Sequence, residues 1–379
     1  MKLACAWLCS ILALCAAQAD GPAAPDPEAW GPYPVGVTTV QLVDHARIDP
    51  ENENAPRAMQ TEVWYPAVEF ARDLPLNKHS DFYLKGKNAA LNGALKMAFK
   101  VDMAAIDAAW DNKAHRDVPV ADGAFPLVMF SHGNGGMRMQ SVFWCEFVAS
   151  HGYVVVSPDH TGNCAITTVD GNLVPYDNDG RERAAEDRPK DISFLIDAMD
   201  KWNKGGDSRF IGKLDLEHVA VAGHSFGGYT ATRCADLDDR VDAIIPMAAV
   251  ANERTDYETP CLMFIATEDR TIKAEGNARM RTYFEQSKGP KVLVEFKNAG
   301  HYSFTEMFQY NPTFGDGVGE GKRITDDGPL KYVDKSTLYR YTNAYSVAFL
   351  GKFLRGQTDY GAYLATNHKP EEINYQNAD

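Results

Sequence analysis

The 379-residue sequence is short of basic charge: 38 Lys and Arg stand against 52 Asp and Glu, a formal net charge of −14. It contains no Lys/Arg-rich run, so the electrostatic footprint that nucleic acid or an anionic membrane surface requires is missing. Metal signatures are missing as well. The seven cysteines are accompanied by no Cys-x-x-Cys and no His-x-x-x-His, which excludes the usual zinc spacings. The acidic stretch DGNLVPYDNDGRERAAEDR lacks the ordered D-x-D-x-D-G run with a closing Glu that a calcium loop needs, and reads as a solvated loop. Neither a dinucleotide-binding glycine fingerprint nor a P-loop is present, so no organic cofactor is expected.

What is there describes a soluble globular protein: 45% hydrophobic and 24% charged residues, enough to bury a sizeable core. MKLACAWLCSILALCAAQAD has a basic start at Lys2, an apolar run to Cys15 and the small-residue triplet Ala17-Gln18-Ala19. That pattern reads as a secretory signal peptide over residues 1–19, implying a secreted or periplasmic protein. A membrane anchor would need roughly 20 apolar residues. A lipoprotein reading at Leu12-Ala13-Leu14-Cys15 is disfavoured by the bulk of Leu14. Cleavage would leave Cys145, Cys164, Cys234 and Cys261. Export makes disulfides possible, and sequence does not choose between bridges and buried thiols.

Residues 20–379 read as one α/β domain, with a Pro/Gly/Ala-rich lead-in over 20–34 and a polar tail over 358–379. VGVTTVQLVD and MQTEVWYPA suggest an antiparallel strand pair. NAALNGALKMAFK and VDMAAIDAAW show helical spacing. From Phe125 onward buried strands alternate with helices. PLVMFS, YVVVSPD, EHVAVAG, VDAIIPMAA, CLMFIATED and KVLVEFKN read as strands; residues 140–152, RPKDISFLIDAMDKWNK from Arg188, FGGYTATRCA and residues 275–287 read as helices. This order implies a mostly parallel sheet with helices on both faces.

Between one such strand and helix lies Gly223-His224-Ser225-Phe226-Gly227, a G-x-S-x-G sequence in the strand-turn-helix setting that gives it meaning. The sharp turn leaves no room for side chains two positions either side of Ser225, which accounts for the glycines. A serine hydroxyl needs a base to act as nucleophile, and in this arrangement the acid and then the histidine follow in chain order. Only His301 and His368 come later. His368 sits in the polar tail, whereas His301 follows a strand end, where loops of open α/β sheets carry functional groups. His224 should point away from Ser225. The acid would come from CLMFIATED, which ends in both Glu268 and Asp269. The oxyanion formed on attack needs preset N–H donors: the amide of Phe226, and that of Asn134 in the glycine-rich loop His132-Gly133-Asn134-Gly135-Gly136.

Over roughly residues 125 to 355 the chain resembles the α/β-hydrolase superfamily. MFSHGNGGMR and GHSFGG are similar to segments of the platelet-activating factor acetylhydrolase family, and RPKDISFLIDAM to bacterial sequences described as predicted dienelactone hydrolases. Cutinase-like polyester hydrolases share the plan more loosely. The resemblance implies a triad of Ser225, Asp269 and His301, with Asp269 preferred to Glu268 because it stands three residues after the small Ala266. It implies a serine esterase acting on small-molecule esters with short acyl chains, with a lipase or polyester hydrolase as alternatives. Serine at 225 speaks against dienelactone hydrolysis, which uses a cysteine. A non-catalytic binding protein of the same fold is the rival of another class. His160 is expected either to line the cleft or to hold a loop. Phe226, Trp144 and Met137 are candidates for an acyl pocket, and FGDGVGEGKRITDDGP for a flexible excursion or lid.

Overall fold

The computed structural model describes residues 23–49, 52–84, 93, 97, 103–250, 258–306, 310, 311 and 313–378. The leader reading and nearly all of the helix expected over 88–100 lie outside them. The strands in chain order are β1 (Val35–Asp49), β2 (Asn52–Pro66), β3 (Ala114–Arg116), β4 (Phe125–Ser131), β5 (Val154–Pro158), β6 (Ile166–Val169), β7 (Asn172–Pro175), β8 (Leu214–His224), β9 (Val241–Met247), β10 (Cys261–Ala266), β11 (Lys291–Phe296), β12 (Glu320–Lys322), β13 (Pro329–Lys331) and β14 (Ile373–Ala378). Ten of them form one sheet in the order β14-β11-β10-β9-β8-β4-β5-β2-β1-β3.

The six strands from β11 across to β5 are mutually parallel. Their sequences are nearly unbroken apolar runs because both faces are covered. Alternation along each strand then divides the core into two layers. In β10, Leu262, Phe264 and Ala266 face the layer that holds the helices Val142–Ser150 and Lys335–Arg355. Cys261, Met263 and Ile265 face the layer of the helices Arg181–Lys201, Phe226–Leu237 and Lys273–Gln286. The early strand pair is antiparallel and extends this same sheet, through the β2–β5 pairing.

Three expectations need correction. The tail is no loose polar segment: the helix Tyr360–Leu364 buries Tyr360 and Leu364, and β14 pairs antiparallel with β11 as the sheet's edge. His368 there stacks on Tyr363 at 3.8 Å. The long helix starts at Arg181 instead of Arg188 and carries Pro189 inside it. The charged opening turns lack the apolar spacing that marks a helix, and the supposed solvated loop becomes part of the β6–β7 hairpin and those turns. The Gly-rich excursion after His301 carries a small hairpin, β12–β13, and is anchored by the buried Asp316.

Candidate active site

The parallel strands deliver the site residues to one edge, outside their C-terminal ends, where open α/β sheets hold ligands. β4 leads into His132–Gly136, β8 into Ser225, β10 into Asp269 and β11 into His301.

Ser225 holds φ 55° and ψ −118° between the end of β8 and the first residue of the next helix, a conformation that is costly for a non-glycine residue. Its N–H donates to Met247 O at 2.8 Å, which anchors the turn on β9. The flanking glycines have a steric cause. A Cβ on Gly227 would lie 1.8 Å from Ser131 O, and one on Gly223 2.4 Å from the backbone of Gly227.

The Ser225 hydroxyl lies 2.9 Å from His301 Nε2, and His301 Nδ1 lies 2.7 Å from Asp269 Oδ2. Asp269 is fully buried, and its Oδ1 accepts from the N–H groups of Thr271 and Ile272. Glu268 points the other way and accepts from Ile324 N–H at 2.8 Å. His224 is directed away from Ser225: its Nε2 lies 2.9 Å from His301 O, and its Nδ1 3.0 Å from the Gln140 amide. Burial and the neighbouring His301 hold His224 well below the usual histidine pKa, so the ring is neutral at this contact.

Phe226 opens the helix after Ser225, so its N–H has no intrahelical acceptor. Asn134 stands across the cleft, its side-chain oxygen held by Asn163 and Tyr176 at 3.0 and 3.1 Å. A cleft of about 920 Å³ opens over these groups, lined among others by Met137, Phe226, Tyr302 and Tyr310. Trp144 is not part of it: the indole is buried under the sheet and donates to Ser346 Oγ. His160 takes the structural option, buried between Ser131 Oγ and Asp191 at 2.9 Å each. Among the described residues no group of three or more His, Cys, Asp or Glu is placed to hold a metal ion. Cys145, Cys164, Cys234 and Cys261 are all free and buried.

Two supporting elements escaped the sequence reading. Asp316 accepts from the N–H groups of Arg270 and His301 and from the Thr271 hydroxyl, tying the acid loop to the histidine loop. Arg188 and Asp191 form a buried polar layer beneath the glycine-rich loop. The only sequence signal for the second was the charged start of RPKDISFL on an otherwise apolar helix face.

A serine at a strand-to-helix turn, reaching a histidine and an aspartate on the loops of later parallel strands, defines the class: an α/β-hydrolase. The chain belongs to the PET hydrolase-like family, whose model matches residues 121–377. The model of platelet-activating factor acetylhydrolase, isoform II, matches residues 24–182. Platelet-activating factor acetylhydrolase of Cavia porcellus is 24% identical over 86% of this chain and 78% of its own length; the Bos taurus enzyme is 24% identical over 62% of this chain and 59% of its own. Cutinase est1 of Thermobifida alba is 24% identical over 49% of this chain and 56% of its own. A ferulic acid esterase from Streptomyces cinnamoneus shares the fold at a TM-score of 0.71, with 23% identity, over 91% of this chain and 97% of that one. The protein is therefore a carboxylic ester hydrolase of the serine type, and the non-catalytic alternative falls away.

Proposed function

We propose that Ser225 is the nucleophile of an exported esterase that removes short acyl groups from small-molecule esters. His301 Nε2 takes the proton from Ser225 Oγ as the oxygen attacks the ester carbonyl carbon. The tetrahedral oxyanion accepts from the Phe226 and Asn134 amides. Collapse breaks the carbon–alkoxide bond, and His301 returns the proton to the leaving alcohol. Water, deprotonated by His301, then releases the carboxylic acid and restores Ser225. Asp269 keeps the proton of neutral His301 on Nδ1 and stabilises the imidazolium that forms.

The observation that carries this reading is the unbroken hydrogen-bonded line from Asp269 through His301 to Ser225. The short acyl group is supported by the acetylhydrolase relatives, and the size of the cleft leaves room for a larger alcohol part. Export is supported by Lys2, the apolar run after it and Ala17-Gln18-Ala19; among the described residues no helix is long and apolar enough to cross a membrane. The family match and the cutinase relative favour a second reading, in which the scissile ester belongs to a polyester.

The test is a chromogenic ester series from acetyl to long acyl chains, run beside Ser225→Ala and a polyester film. Rates highest for acetyl, and lowered by roughly 10⁶-fold in the mutant, are expected. Soluble products from the film with little hydrolysis of small esters would move the substrate to the polymer. Substantial turnover by Ser225→Ala would refute the nucleophile.

A further inference from the structure

The loop that carries the Asn134 amide is held partly by its own groups and partly by a neighbouring helix. Its shape depends on how the peptide between Gly133 and Asn134 is turned. That unit is planar and trans, so its C=O and N–H point in opposite directions. Whatever grips the Gly133 oxygen from beneath therefore aims the Asn134 N–H upward, into the cleft.

Three donors converge on that oxygen: His132 Nδ1 at 2.6 Å, Gly136 N–H at 3.0 Å and Arg188 Nη2 at 3.1 Å. The tautomer of His132 follows from the other side of its ring. His160 N–H donates to His132 Nε2 at 3.1 Å, so Nε2 is the acceptor and Nδ1 bears the proton. Burial and the charge of Arg188 hold His132 well below its ordinary pKa, which keeps this neutral form. The 3.2 Å approach of Arg188 Nη2 to Nδ1 is then a contact between donors. The other arm of the guanidinium, Nη1, donates to His132 O at 2.6 Å, so Arg188 spans two successive carbonyls.

The charge of Arg188 is placed unusually. The side chain is fully buried, and among the described residues no carboxylate forms an ion pair with it. Asp191, one helical turn on, is occupied by both arms of Arg57, by Arg47 and by His160. Burial pulls the guanidinium's pKa down to about 9 although Asp191 acts to raise it. The cation rests 4.7 Å from the ring of Phe226, whose amide is the other proposed oxyanion donor. A buried charge with no directly paired anion is expensive unless something uses it.

We infer that Arg188 is a positioning residue for ester hydrolysis: it clamps the His132 and Gly133 carbonyls, aims and polarises the Asn134 N–H, and holds positive charge beneath the forming oxyanion. This rests on the proposed roles of Ser225 and Asn134. Its effect falls on the transition state and leaves substrate binding nearly untouched, because the oxyanion exists only after attack.

The experiment compares Arg188→Lys and Arg188→Met with the parent and Ser225→Ala on a short-chain nitrophenyl ester. Rates are expressed per active serine, counted by stoichiometric organophosphate labelling, so that misfolded protein drops out. Arg188→Met is expected to lose ~10²-fold or more in kcat, as for removal of an oxyanion donor, with KM within about threefold. Arg188→Lys, which keeps the charge but cannot span both carbonyls, should recover part of that loss. Affinity for a boronic acid that forms a tetrahedral adduct on the serine should fall in parallel. The infrared carbonyl band of the acyl-enzyme should move to higher wavenumber as polarisation is lost. Per-site kcat within about twofold of the parent, an unmoved carbonyl band, or fewer active sites each working at the parental rate would overturn the inference. Activity surviving in Ser225→Ala would instead overturn the nucleophile assignment beneath it.

Discussion

The glycines around Ser225 allow a quantitative test through a paired substitution. In Gly227→Ala the new Cβ starts 1.8 Å from Ser131 O, 2.4 Å from Ser131 C and 2.8 Å from His132 O, where real side chains require at least 3.0 Å. All three neighbours are backbone, so no rotamer change relieves the clash; β4 and the helix Phe226–Leu237 must separate. Overpacking of this kind costs about 1–3 kcal/mol, and the upper end applies because main chain is struck. The intrinsic preference of alanine for helix offsets only about 0.5–1 kcal/mol. A net loss near 2 kcal/mol lowers Tm by about 2–3 °C, given an unfolding entropy of about 2.1 cal/mol/K per residue over a domain of roughly 360 residues. The same separation pulls the Phe226 amide away from the Asn134 loop, and a displacement of about 1 Å at a reacting centre costs on the order of 10² in rate. Gly361→Ala is the control, since nothing lies within 4 Å of its Cβ and it sits inside the helix Tyr360–Leu364. It should gain about 0.5–1 kcal/mol. Differential scanning calorimetry and per-site kcat measure both. Equal Tm shifts for the two variants, or a Gly227→Ala enzyme with parental kcat, would refute the steric reasoning.

Asp269→Asn should lower kcat by about 10⁴-fold with the fold intact, whereas Glu268→Gln should stay within a few-fold of the parent; the reverse ranking in steady-state kinetics would exchange their roles. Burial pushes the Glu146 carboxyl up to about 8 from 4.5, against the lowering effect of the Lys113 and Ala114 amides. The folded protein thus holds a proton that the unfolded chain releases, so this contribution is full below pH 4.5 and fades as pH rises through 8. Glu146→Gln should narrow the gap in Tm between pH 5 and pH 9, read by thermal melts at about those two values; an unchanged gap would show that Glu146 is ionised in the fold. With Cys145, Cys164, Cys234 and Cys261 buried and free, a thiol reagent should label none of these four in the native protein and each of them after unfolding. An intact mass two hydrogens lighter per bridge would contradict that. Tyr310 lines the cleft with its hydroxyl held by His79 at 2.6 Å and Tyr83 at 2.7 Å. Tyr310→Ala should therefore shift the ester chain-length profile toward longer acyl groups, and an unmoved profile would take Tyr310 out of the acyl wall.

Much of the fold was legible because its rules are local. Unbroken apolar runs such as PLVMFS and CLMFIA can be satisfied only between two covered faces, and both became central parallel strands. Ser225 was legible because its turn needs glycine on both sides, and His301 because only it and His368 follow Ser225 in the chain. Where a local rule met a stronger packing demand, it misled. The charged first turns of the long helix hid its start, the polar composition of 358–379 concealed an edge strand, and Trp144 went to the core because its ring packs against Phe130 and its N–H finds Ser346.

The sequence by itself therefore determined the parallel α/β order, the serine turn and the histidine paired with it, since each is written within a few residues. Only the tertiary structure decided which of the adjacent Glu268 and Asp269 faces His301, that Asp316 ties the two loops together, and that Arg188 grips the carbonyls beneath Asn134. Those choices join segments tens of residues apart in the chain. Side-chain direction at a strand end and the pairing of buried charges depend on which loops the sheet brings together, and no local spacing encodes that.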